Sequence, residues 1–175
     1  MKNSQFISLN GNKSESPTSF FEEEYNRMTE MSSDLDELYW DIEKEGINTH
    51  VIRSINETVN AFYDELSKLF ALEEEILFKE LAEVLPDKAL PEALKNENAN
   101  ILLLFEALKN IFSENDEIRK EKDLLQAEMI ALADLLQRDA NKKRSMLIHE
   151  FNTLLPQRKL EEMREKIREG FFAHT

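Results

Sequence analysis

The chain contains no cysteine. Disulfides, thiolate metal sites and cysteine nucleophiles are thereby excluded. Glycine occurs 3 times and proline 4 times in 175 residues, so few positions interrupt regular structure. Strand-like alternation of Val, Ile and Thr is equally scarce. No apolar run approaches the ~18 residues that a transmembrane helix needs. The N-terminal stretch MKNSQFISLNGNKSESP lacks the apolar centre of a signal peptide.

Positive charge is also in deficit. Lys and Arg number 22 against 36 Asp and Glu, a formal net charge of −14. A nucleic-acid partner requires a basic footprint, which is missing here. Anionic membrane surfaces would repel the chain. Acidity of this size favours solubility and attracts cations or a basic partner. These features predict a cytoplasmic protein. The triplets Asn12-Lys13-Ser14 and Asn56-Glu57-Thr58 match the glycosylation acceptor, which carries little meaning without secretion.

What is abundant is Leu, Glu, Lys, Ala and Phe arranged at helical spacing. Residues 1–16, rich in Ser, Asn, Gly and Lys, are expected to form a disordered tail. Ser16-Pro17-Thr18 reads as a helix start. A first helix is expected over about 18–45, with stripe Phe21, Tyr25, Met28, Leu35, Tyr39 and Ile42 and a stop at Gly46. A second runs from a cap at Asn48 or Thr49 to about Leu85. Its stripe is Ile52, Ile55, Val59, Phe62, Leu66, Leu69, Glu73, Ile76 and Glu80, widened by Phe70, Leu77 and Leu81. The turn PDKALP, 86–91, leads to a third helix over about 91–113, with stripe Leu94, Asn98, Ile101, Phe105, Leu108 and Phe112.

Ser113-Glu114-Asn115-Asp116 reads as the next turn and cap. A fourth helix over about 116–155 carries Leu125, Met129, Leu132, Leu136, Asp139, Lys143, Met146, Glu150 and Leu154. Beyond Pro156, a short fifth helix over 157–169 ends at Gly170, with Phe171 and Phe172 folding back. Four long helices with short connections predict an all-α, antiparallel four-helix bundle with a short extra C-terminal helix. The expected domain is 17–170, followed by a tail at 171–175. The rival is an extended coiled coil, which the broad stripes and short turns disfavour.

The stripes have polar interruptions. At 100° per residue Glu73 falls within about 40–60° of Leu69, Ile76 and Leu77, while Glu74 and Glu75 turn toward solvent. Asn98 sits between Leu94 and Ile101. Asp139 and Lys143 lie in line with Leu132 and Leu136. Inward polar groups in a four-helix bundle commonly build a metal site, often with Glu-x-x-His, yet no Glu-x-x-His occurs here.

The stretch LSKLFALEEEILFKELAEVLP, 66–86, resembles the second helix of hemerythrin-like (HHE) cation-binding domains, which reads His-Phe-x-x-Glu-Glu-x-x-Leu-Phe-Pro. Phe70, Glu73, Glu74, Leu77 and Phe78 match it. Leu69 stands at the histidine and Lys79 at the proline. The stretch 89–108 resembles the third helix, with Glu97-Asn98 in place of Glu-His. The stretch 132–151 resembles the fourth, with Asp139 and Lys143 at its His-x-x-x-Glu. QRKLEEMREKI resembles the short closing helix. Helix 1 would supply another histidine; Tyr25 or Ser32 occupies that place here. A register seven residues later would put Met146 and Glu150 at the fourth-helix motif instead.

The resemblance implies former metal-site positions Leu69, Glu73, Asn98, Asp139 and Lys143, of which only Glu73 keeps the family's residue. Three readings stand. Glu73 and Lys143 form a buried ion pair with Asp139 in place of a metal. Alternatively, QRDANKKRS, 137–145, is bent or exposed and Lys143 meets water. In the third, Glu73 and Asp139 still ligate a metal, with iron as the cofactor. Asn98 is otherwise a core amide, and His50, His149 and His174 read as surface residues.

No catalytic residue set emerges. The expectation is a non-catalytic binding or scaffold protein on a degenerate hemerythrin-like bundle, with no cofactor. Its partner would be a protein or a second copy of itself, not nucleic acid or membrane. The alternative is an iron-binding or oxygen- or iron-sensing protein with carboxylate ligands.

Overall fold

In the computed structural model, residues 16–85, 88–113 and 122–172 are described. Residues 1–15 of the tail expected over 1–16, the cap at 114–116 and the start of the fourth helix before 122 lie outside the described residues. So do Pro86 and Asp87, residues 173–175, and the side chains of Phe112, Phe171 and Phe172.

Helix α1 spans Pro17–Glu45. The Ser16 side chain accepts from the Ser19 backbone N–H, and Pro17 begins the helix where a missing donor is harmless. Gly46, at φ 69°, ends it in a conformation that few other residues adopt. Helix α2, Thr49–Leu72, is capped by Asn48, whose side chain accepts from His50 and Val51. A π-helical turn, Glu73–Phe78, follows directly, and α3, Lys79–Val84, completes the rod. The sequence predicts an unbroken α-helix over this whole stretch; the structure has one residue too many for it.

Helix α4 spans Ala89–Ser113, so Ala89 and Leu90 are helical and Pro91 falls in its first turn rather than closing the preceding connection. Helix α5 spans Lys122–Leu154. Helix α6 spans Gln157–Phe172 and runs straight through Gly170, which was expected to stop it.

Among the described residues there is no strand. The fold is an all-α bundle. Helix α1 packs on α5 and α2, and α4 packs on α2 and α5, so neighbours in sequence are neighbours in space. The antiparallel sense is visible across α1 and α5. Arg144 Nη2 donates to the Tyr25 carbonyl, Ser32 Oγ to the Ala133 carbonyl, and Lys122 pairs with Glu43.

The core runs from Phe20, Phe21 and Met28 through Leu66, Ile101, Phe105 and Leu132 to Leu136 and Phe151. On α5 the buried row is Leu125, Met129, Leu132, Leu136, Asp139 and Lys143, then Leu147 and Phe151. Met146 and Leu154 are exposed, and Glu150 is half-exposed. At 3.6 residues per turn the inward face drifts ~20° per heptad from a strict 3.5 repeat, about half a residue over five turns, which is enough to bury Leu147 in place of Met146. The shifted register through Met146 and Glu150 is therefore wrong.

Candidate functional site

Four helices bring polar groups to one buried point. Lys143 on α5 has no exposed surface, and its ammonium has three oxygen neighbours. Nζ donates to Glu73 Oε2 at 2.9 Å and to Asn98 Oδ1 at 2.7 Å. It forms an ion pair with Asp139 Oδ2 at 2.7 Å, one turn earlier on the same helix. Three partners match the three protons of an ammonium. Asn98 Nδ2 in turn donates to Glu73 Oε2 at 2.8 Å, so the amide uses its oxygen on the cation and its nitrogen on the anion.

Aromatic rings close the site. Nζ lies 4.5 Å from the centroid of Phe70 and 5.8 Å from that of Tyr25, within reach of cation–π attraction. Tyr25 is the α1 residue at this level. Ser32, the other candidate, is buried two turns away and bonded to the Ala133 carbonyl at 2.8 Å. Leu69 is buried and apolar, and its carbonyl accepts from the Glu73 backbone N–H.

Local structure explains the aim of Glu73. It is the first residue of the π turn, and its N–H is shared between the carbonyls of Leu69 and Phe70. The wider turn lets Ile76, Leu77 and Phe78 all be buried in succession while Glu74 and Glu75 stay in water. π turns are rare and recur at functional positions. Nothing in the apolar pattern announces one except that three consecutive buried residues exceed what one α-helical face can hide.

The cluster holds two carboxylates against one ammonium. Beyond the 2.7 Å ion pair of Asp139 Oδ2 with Lys143, the second carboxylate oxygens, Glu73 Oε1 and Asp139 Oδ1, complete no hydrogen bond. Burial pushes the Asp139 carboxyl up to about 6, against the lowering effect of Lys143. Tyr25 is raised well above the ordinary phenol value, first by burial and then by the charge of Glu73. At the rim, Lys142 Nζ donates to Glu97 Oε1 at 2.6 Å, so Glu97 serves a half-exposed pair rather than the centre. Glu24 on α1, beside Glu65, is pushed up to about 7, chiefly by burial. His50 and His149 are exposed, and His174 lies outside the described residues.

A bundle with inward polar groups converging from four helices defines a class of internal-site helical proteins. The family model for the hemerythrin HHE cation binding domain matches residues 16–150, and the chain belongs to that family. The match ends before α6. No curated protein and no solved structure matches the chain.

The family's cation can be tested against the donors present. Among the described residues no group of three or more His, Cys, Asp or Glu could hold a metal ion. The two carboxylates that reach the centre are already oriented on Lys143, and no histidine accompanies them. This donor set does not fit iron held by nitrogen ligands. No helix among the described residues is long and apolar enough to cross a membrane.

Proposed function

We propose that this chain is a non-catalytic binding protein on a hemerythrin-type bundle, in which an internal lysine takes the part of the cation. The observation that carries the reading is the position of Lys143 Nζ, 2.7–2.9 Å from Glu73, Asn98 and Asp139 in the centre of the bundle. An ammonium there neutralises Glu73 without any bound ion, and it leaves no room for a metal on the same oxygens. The helices then serve as a scaffold whose outer faces meet a protein partner or a second copy. A cytoplasmic location belongs to the same reading.

The deciding experiment is metal analysis of protein purified from iron-supplied cells. The expected result is iron far below one atom per chain and no absorption band of an oxo-bridged iron pair. Two irons per chain would replace this reading with its alternative, an iron-binding or iron- or oxygen-sensing protein that uses Glu73 and Asp139. What favours that alternative is the pair of buried carboxylate oxygens without hydrogen bonds, Glu73 Oε1 and Asp139 Oδ1.

A further inference from the structure

Glu73 and Glu80 are seven residues apart. On an unbroken α-helix that interval is nearly two full turns, and both carboxylates would share one face. They do not. Glu73 points into the bundle, where Lys143 holds it at 2.9 Å. Glu80 is also buried, but at the seam with α6, where Oε2 lies 2.8 Å from Lys159 Nζ and Oε1 3.6 Å from Lys166 Nζ. The π turn between them explains the divergence. A π turn spends one extra residue, so every residue after it is rotated by about 100° relative to a continuous helix.

Helix α6 meets Glu80 on the side to which that rotation turns it. Its fixed side chains are Met163 and Ile167, both buried, flanked by Lys159 and Lys166 on the same face. It packs on α1, α2 and the π turn. Both of its ion pairs to a buried acid end on Glu80. The segment carrying Glu80 is short: α3 has 6 residues and ends at Leu85 in extended backbone.

We infer that the π turn links the ion pair inside the bundle to the docking of α6. With Glu73 held by Lys143, the π turn persists and Glu80 faces Lys159 and Lys166. When that pair is lost, the turn relaxes toward α-helix, Glu80 swings away, and α6 is released as a latch. This goes beyond the binding reading, because it assigns a moving part and the contact that holds it.

Amide hydrogen exchange on the full chain, followed by mass spectrometry, tests the link. Glu73→Gln keeps the size of the side chain and removes its charge. Exchange over 79–84 and 157–169 should rise about tenfold, with the α4 peptides around 94–108 changing much less. The double variant Lys159→Ala, Lys166→Ala should free α6 to a similar extent with the bundle interior intact. Deleting Glu75, which is exposed, removes the extra residue of the π turn but keeps Glu80 aimed at α6. In that background Glu73→Gln should no longer release α6. Lys143→Met provides a second way of breaking the pair should Glu73→Gln fold poorly. The inference is overturned if α6 is unaffected by breaking the pair, if all helices loosen equally, or if release persists with Glu75 deleted.

Discussion

Lys143 Nζ stands 2.9 Å from Glu73 Oε2 although 70 residues separate the two along the chain, and neither side chain has any exposed surface. Taking both charges out of water is expensive, and their attraction repays it only because Asn98 and Asp139 complete the shell. The asymmetry between breaking and replacing such a pair gives a direct test. Lys143→Met leaves Glu73 buried without its cation, and should destabilise the fold by about 3–5 kcal/mol. Adding Glu73→Leu removes the stranded charge, and the double variant should recover much of that loss. Urea unfolding of the two single variants and the double variant measures the coupling. A Lys143→Met protein as stable as the parent would mean the pair contributes nothing.

Acid should stabilise this protein over a window where many proteins are indifferent. Asp139 is pushed from 3.8 up to about 6 and Glu24 from 4.5 up to about 7, both chiefly by burial. A carboxyl whose folded pKa is raised holds its proton longer folded than unfolded. Its stabilising contribution is complete below the unfolded value and is lost as pH rises through the folded one. Stability should therefore fall from about pH 4 to about pH 7. Asp139 accounts for up to about 3 kcal/mol of that fall, at ~1.4 kcal/mol for each pKa unit. Asp139→Asn should flatten the slope below pH 6. A midpoint that rises steadily between pH 4 and 7 in both proteins would contradict this assignment.

Asn98 has the one side chain in the cluster that donates to Glu73 and accepts from Lys143. Asn98→Leu removes both bonds at similar volume and should cost about 1–3 kcal/mol. Asn98→Asp is the sharper probe. It places a third carboxyl around one ammonium, and it should be the more damaging change at pH 7. Its stability should recover between pH 7 and 5 as the surplus acid takes up a proton. Urea titrations of the two variants at both pH values separate lost hydrogen bonding from added charge.

Much of the bundle could be read from residue order because its signals are repetitive. The stripe from Leu94 to Leu108 is buried as expected, since a regular α-helix carries the 3.6 period without error. The same period placed Glu73, Asn98, Asp139 and Lys143 in line with the apolar stripes, but it left open whether 137–145 bends out to water; the burial of Asp139 and Lys143 excludes that exposed reading. The failures lie where the period itself changes. The π turn at Glu73–Phe78 is set by what the surrounding helices need to bury, which local propensity does not encode. The drift from Met146 to Leu147 accumulates slowly and shows only at the end of a long helix. Gly170 looked like a stop because glycine usually ends helices, but here the backbone continues. The link from Glu80 to Lys159 and Lys166 joins residues with no periodic relation at all.

The occupancy of the centre by Lys143 predicts how metals act on stability. A ligand that binds only the folded state stabilises it by RT ln(1 + [L]/Kd), so the unfolding midpoint rises with the logarithm of its concentration once that exceeds Kd. Ferrous or manganous ion added to the parent protein meets an ammonium already bound to the available oxygens, so the midpoint should not move. Lys143→Glu removes the cation and gathers three carboxyl groups, with Glu73 and Asp139, around one point. That variant should be weakened without metal, because like charges are then buried together. Millimolar divalent ion should restore part of the loss, with a concentration dependence that the parent lacks. Adding Leu69→His, which returns an imidazole to the position the family uses, should steepen the response. Thermal unfolding with and without metal reads each step. An equal rise in the parent would mean that Lys143 yields its place to the ion.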